Sequence, residues 1–205
     1  MYISKKTYLL LALLAILGVN SLLAQSNVKI DSNKVWKSFV LQVGGGIGSY
    51  TTVVHIKPPA LNGSIKRYSP VGTIRLLWYP SYRLRMGFET GYTDFYSYKV
   101  KNAGKEGSLH LSAVPLLFVF SMQVVRRVNI YAGLGAYMET THLVYDGSVT
   151  SKAFVLGTNI ALSYTYPFST KLSIVAEGEW MNAYDSKDAA LNVQAKLAWR
   201  FLRWQ

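Results

Sequence analysis

Three histidines, 22 basic residues, 10 acidic residues and no cysteine set the chemistry open to this chain of 205 residues. Without cysteine, disulfides, thiolate metal sites and thiol catalysis are excluded. His55, His110 and His142 stand far apart in the sequence. Neither their spacing nor a carboxylate partner makes a ligand set, so no metal and no cofactor is expected. Gly44-Gly45-Gly46-Ile47-Gly48 has the composition of a phosphate loop. Such a loop leads into a helix within a βαβ unit, and no helical period follows here. The run reads instead as strand backbone approached closely by its neighbours. His110-Leu111-Ser112 brings a base and a hydroxyl together, because positions i and i+2 of a strand share a face. Glu139, the nearest carboxylate candidate, falls on the other parity of the following run. No catalytic residue is expected from these, and the chain reads as non-enzymatic.

A larger set of charges lies elsewhere. Arg75, Arg85, Glu89, Glu177, Glu179, Lys196 and Arg200 all occupy one parity of alternating segments. Eight such segments recur: Lys37 to Tyr50, Val71 to Tyr79, Leu84 to Phe95, Leu109 to Met122, Val128 to Thr140, Ala153 to Tyr166, Leu172 to Met181 and Leu191 to Trp204. A period of two means strands with different surroundings on their two faces. Connections alternate between short (Pro80 to Tyr82, Gln123 to Arg127, Pro167 to Lys171) and long (Thr52 to Ser69, Tyr96 to Ser108, Thr141 to Lys152, Asn182 to Ala190). An even strand number with short turns at one end and long loops at the other describes an eight-stranded antiparallel up-and-down transmembrane β-barrel.

The chain opens with Lys5 and Lys6, then an apolar run from Leu9 to Val19, then N-S-L-L-A ending at Ala24. This is the three-part pattern of a secretory signal peptide. Residues 1–24 are expected to be removed, residues 25–36 to form a periplasmic lead-in, and residues 37–205 to form the barrel. An exported protein does not meet nucleic acid, so its basic excess points to anionic lipid headgroups.

Which face is outside follows from size and charge. One face holds Gly44, Gly46, Gly87, Gly91, Gly133, Gly135, Gly157 and the charges, which suits a crowded lumen. The other is large and apolar, which suits lipid. Aromatics gather near strand ends, as bilayer interfaces select. Trp78, Tyr79, Tyr82, Tyr164, Tyr166, Phe168, Trp199 and Phe201 fall near the short turns. Tyr50, Tyr92, Phe95, Tyr96, Trp180 and Tyr184 fall near the long loops. Pro115 lies within a strand and costs a ladder hydrogen bond unless a bulge absorbs it. Hairpin geometry places Arg75 near Glu89 and Glu179 near Lys196, with Glu177 between Lys196 and Arg200.

With its V-P-L-L segment at Val114 to Leu117, its Y-A-G-L-G-A segment at Tyr131 to Ala136 and its strand-like C-terminus, the chain resembles the small eight-stranded outer-membrane β-barrel proteins. These are the OmpA-transmembrane/OmpX-like "porin family" of Gram-negative bacteria. It departs from them in ending at Gln205 rather than at an aromatic residue. The resemblance implies a monomer in the outer membrane with a structural or interaction role, set among lipids and engaging an extracellular or periplasmic partner. A narrow solute channel is the first alternative. The His-x-Ser spacing is also similar to that of an outer-membrane lipid A deacylase family, which implies a hydrolase using His110 and Ser112 as a further alternative. A soluble periplasmic carrier barrel is the last, since its exterior would have to carry the charges that here alternate inward.

Overall fold

The computed structural model describes residues 37–51, 63–80, 83–102, 105–144, 147–184, 186 and 188–204. The expected signal peptide and lead-in lie outside these residues. Nine strands follow in order: β1 (Lys37–Tyr50), β2 (Gly63–Lys66), β3 (Tyr68–Tyr79), β4 (Leu84–Asn102), β5 (Lys105–Val125), β6 (Val128–Val144), β7 (Ser148–Pro167), β8 (Leu172–Ala183) and β9 (Asp188–Trp204). β2 and β3 run one after the other along β4, opposite Ser97 to Val100 and Met86 to Thr93 respectively. They form one stave broken at Arg67, so the barrel has eight staves. Every pairing is antiparallel between neighbours in sequence, and β1 closes on β9. Closure pairs the staves all round the barrel, the one way a sheet can satisfy its backbone in hydrocarbon; toward the long loops, β2 and residues 148–156 of β7 pair along one side.

The alternating segments therefore mark the staves, but several staves run further than the alternation. β5 has 21 residues and β7 has 20, against 12 for β8. A tilted strand crosses a bilayer in about 9–11 residues. The surplus extends the hairpins at the long-loop end. Tyr96 to Ser108 and Thr141 to Lys152, expected as loops, are mostly paired strand.

Three ladders shift register, β5–β6 among them between Gln123 and Val125. The β4–β5 ladder shifts between Asp94 and Tyr96, and no pair joins Gly91 or Tyr92 to β5 opposite Pro115. The interruption thus falls where proline has no N–H to give. The β1–β9 ladder shifts between Phe39 and Val40, leaving Phe201 without a partner there.

The core lies inside the barrel. Toward the long-loop end it is aromatic: Tyr50, Phe95, Tyr137 and Met181 are buried together. Phe95 meets Tyr50 and Tyr137 edge-on, with centroids 6.4 and 6.5 Å apart. Tyr50 also donates to Asp188 Oδ1 at 2.5 Å. The Tyr137 ring lies over Gly157, where a Cβ would sit 1.7 Å from the ring, so only glycine fits beneath it. Tyr50, Tyr79, Phe95 and Tyr96 are a correction to the expected belts. All four pack against the lumen core: the first three keep the parity of Gly48, Arg75 and Thr93, and the register shift turns Tyr96 inward opposite Leu111.

Candidate functional site

The lumen charges come together in a single layer. Arg75 on β3 is fully buried. It lies directly across the ladder from Glu89 on β4 and hydrogen-bonds to it through Nε. The same guanidinium crosses the lumen to β8 and grips Glu177 with two nitrogens, at 2.7 and 3.0 Å. Such a paired contact fixes both charge and orientation. Its remaining capacity reaches Gln42 Oε1 at 3.3 Å, and its Cζ sits 4.2 Å above the Tyr131 ring.

Lys196 donates to Glu177 Oε1 at 2.6 Å. This corrects the expected pairing with Glu179. In the β8–β9 register Val175 faces Lys196 and Glu179 faces Asn192, so the lysine reaches one step along the strand to Glu177. Glu179 is held instead by amides. Asn159 Nδ2 donates to it at 2.6 Å and to Glu89 at 2.6 Å, and Gln194 Nε2 donates at 2.7 Å. Two cations and three carboxylates make the layer, stitched by Asn159, Gln194 and Gln42.

Two of the expected members stand apart. Arg85 lies toward the short turns, half-buried, with its guanidinium 4.1 Å above the Tyr79 ring. It donates to Asn129 Oδ1 at 2.8 Å and to Gln123 Oε1 at 3.0 Å. Arg200 is exposed. It pairs with Val40 beside the shift in the β1–β9 ladder and lines a cavity at the barrel mouth, two inward positions along β9 from Lys196. Sequence parity sets the face of a residue but not its depth, and depth separates these two arginines from the rest.

The exterior carries the opposite chemistry. Phe154 is 71% exposed, Val193 66% and Phe88 65%, and the outward rows of every stave continue in the same manner. Trp78 is half-buried, while Tyr92, Tyr164, Tyr166, Trp180, Trp199 and Phe201 are exposed on this surface. Buried ions inside and large exposed apolar side chains outside are the reverse of a water-soluble barrel, and contiguous apolar surface on this scale must be covered. The chain has the fold of a transmembrane β-barrel.

On that exterior His110 and Ser112 share a face, and Glu139 points into the lumen, where Ser186 Oγ donates to it at 2.9 Å. Sequence reasoning missed Asp94. Its ladder partner is Ser112, and its Oδ1 lies 3.0 Å from His110 Nε2. The pair is legible only once the β4–β5 register is known. Ser112 is 9% exposed, and no hydrogen bond between it and His110 is formed among the described residues.

No family model and no characterised protein sequence matches the chain. Solved structures similar in fold include the following. Neisserial surface protein A is 13% identical, with 80% of this chain and 99% of that chain covered and a TM-score of 0.47. Ail of Yersinia pestis, the attachment invasion locus protein, is 12% identical, with 82% and 99% covered and a TM-score of 0.46. The outer membrane protease OmpT from Escherichia coli is 8% identical, with 86% and 99% covered and a TM-score of 0.40.

Proposed function

We infer that this chain is an integral outer-membrane protein with a structural or interaction role, delivered by a signal peptide removed after Ala24 and monomeric among lipids with anionic headgroups. Its lumen is sealed by the ion-pair layer, so it does not conduct. The observation that carries this reading is Arg75, which bridges β3, β4 and β8 through Glu89 and Glu177. An eight-stranded barrel is only just wide enough for its own side chains. A guanidinium clamped across it leaves no path for hydrated ions. Partner binding falls to the hairpins that extend beyond the bilayer, since they present backbone and side chains to solvent at the long-loop end.

Planar-bilayer recording of the full processed chain tests the seal. The expected trace shows no sustained single-channel conductance. Steady openings in the unmodified protein would transfer the function to a narrow solute channel. Fractionation with N-terminal sequencing tests the route: the protein is expected in the outer membrane beginning at Gln25.

A further inference from the structure

A cavity of about 410 Å³ opens at the short-turn end of the barrel. It lies beneath the ion-pair layer, and Gln42, which also bonds to Arg75, belongs to its lining. Every charged residue that lines it is basic: Arg85, Arg126, Arg127, Lys171 and Arg200. Among the described residues, no carboxylate lines it. Cations brought together without counter-charge repel one another, and that repulsion favours an anion bound between them.

The innermost arginine is already positioned. Tyr79 supports the Arg85 guanidinium from one side, and the neutral side-chain oxygens of Asn129 and Gln123 hold its edge. Asn129 is itself fixed through Nδ2 to Thr165 Oγ1 at 3.1 Å. These partners orient the group without cancelling its charge. At the rim, Arg127 takes φ = 73° in the turn between β5 and β6. That left-handed conformation suits glycine or asparagine and strains other residues. The Arg127 guanidinium turns to the exterior, donating to Tyr164 Oη at 3.4 Å with its Cζ 5.3 Å from the Tyr166 ring, so Arg126 is the turn arginine left to the cavity.

We propose that this vestibule is a binding site for a phosphate group, borne either by a small soluble phosphate ester or by a phospholipid headgroup. Planar guanidinium forks match phosphate oxygens in geometry as well as charge. The volume is that of a small-ligand pocket, and the ion-pair layer closes its inner end, so the site is a dead-end cup. The anion is held, not passed. The proposal stands apart from the sealing of the lumen, because a cup with a phosphate site would bind whether or not the layer above it leaks.

Calorimetric titration of pyrophosphate into the full processed chain, folded in phosphatidylcholine nanodiscs, tests it. One saturable site is expected, weakened about tenfold or more by Arg85→Gln and unchanged by Lys152→Gln at the opposite end. Arg126→Gln, a turn substitution outside the packed lumen, is expected to weaken binding severalfold. It carries the test if Arg85→Gln does not fold. Repeating the titration in nanodiscs containing phosphatidylglycerol separates the sources. Loss of pyrophosphate binding there assigns the site to a lipid headgroup, and unchanged binding assigns it to a soluble ester. Absence of saturable binding in phosphatidylcholine, or equal effects of Arg126→Gln and Lys152→Gln, overturns the proposal.

Discussion

The middle of the lumen and its short-turn mouth are built from the same cationic side chains under opposite rules. In the middle, Arg75 and Lys196 are buried and each is bonded to carboxylate oxygen. At the mouth, Arg85 is held by neutral oxygens, and the rim arginines have no carboxylate beside them in the cavity lining. Burial explains the difference. A charge removed from water needs a counter-ion to remain ionised at tolerable cost. A charge at a wet mouth keeps its hydration and can stand unpaired, free to attract something else. One region spends its charges on cohesion, and the other leaves them available.

Removing single groups should affect the two regions differently. Arg75→Ala should have the largest effect, because it strands Glu89 and Glu177 in the lumen. A loss of about 3–5 kcal/mol is expected in reversible unfolding from lipid vesicles; a loss under about 1 kcal/mol would show that the layer is hydrated. Leu162→Arg tests the other face. Leu162 sits mid-strand on the exterior, 57% exposed, and a cation there should cost about 2–4 kcal/mol near the midplane. Leu162→Ala should cost far less in the same folding assay. Tyr50→Phe deletes the hydrogen bond to Asp188 and should cost about 1.5–3 kcal/mol by denaturant titration. A pair of double-mutant cycles sharpens the register. Lys196→Ala with Glu177→Ala should couple by about 0.5–3 kcal/mol, and Lys196→Ala with Glu179→Ala by less, because only Glu177 touches the lysine. Arg126→Gln should move stability least, within about 0.5 kcal/mol, in contrast to its expected effect on pyrophosphate binding.

Much of this arrangement was legible in the sequence because strand parity is rigid. Phe154, Leu156, Ile160 and Leu162 alternate with Gly157, Asn159, Ala161 and Ser163, and that alternation alone gives β7 its lipid and lumen faces. Depth, register and reach were not legible. Glu177 meets an arginine 102 positions away, a contact that only closure of the barrel creates. Lys196 pairs with Glu177 because a long side chain reaches along the strand, which a flat ladder does not reveal. Aromatic residues misled where two forces select the same residue type. Tyr50 and Phe95 look like interfacial anchors, yet they fill the lumen, as do Tyr131 and Tyr137. Asp94 escaped notice because its partnership with His110 depends on a bulge one residue away.

Polarity in this barrel is inverted: charges inside, apolar side chains against lipid. The chain has no cysteine, so a single introduced thiol carries a spin label at one known place. Labels at Leu156→Cys, Leu162→Cys and Val193→Cys, in protein folded into phospholipid vesicles, should collide with oxygen dissolved in the bilayer and be shielded from a water-soluble nickel chelate. A label at Arg126→Cys in the turn should show the reverse. If the three strand labels met the nickel chelate as readily as the turn label does, the apolar face would lie in water and the account would be wrong.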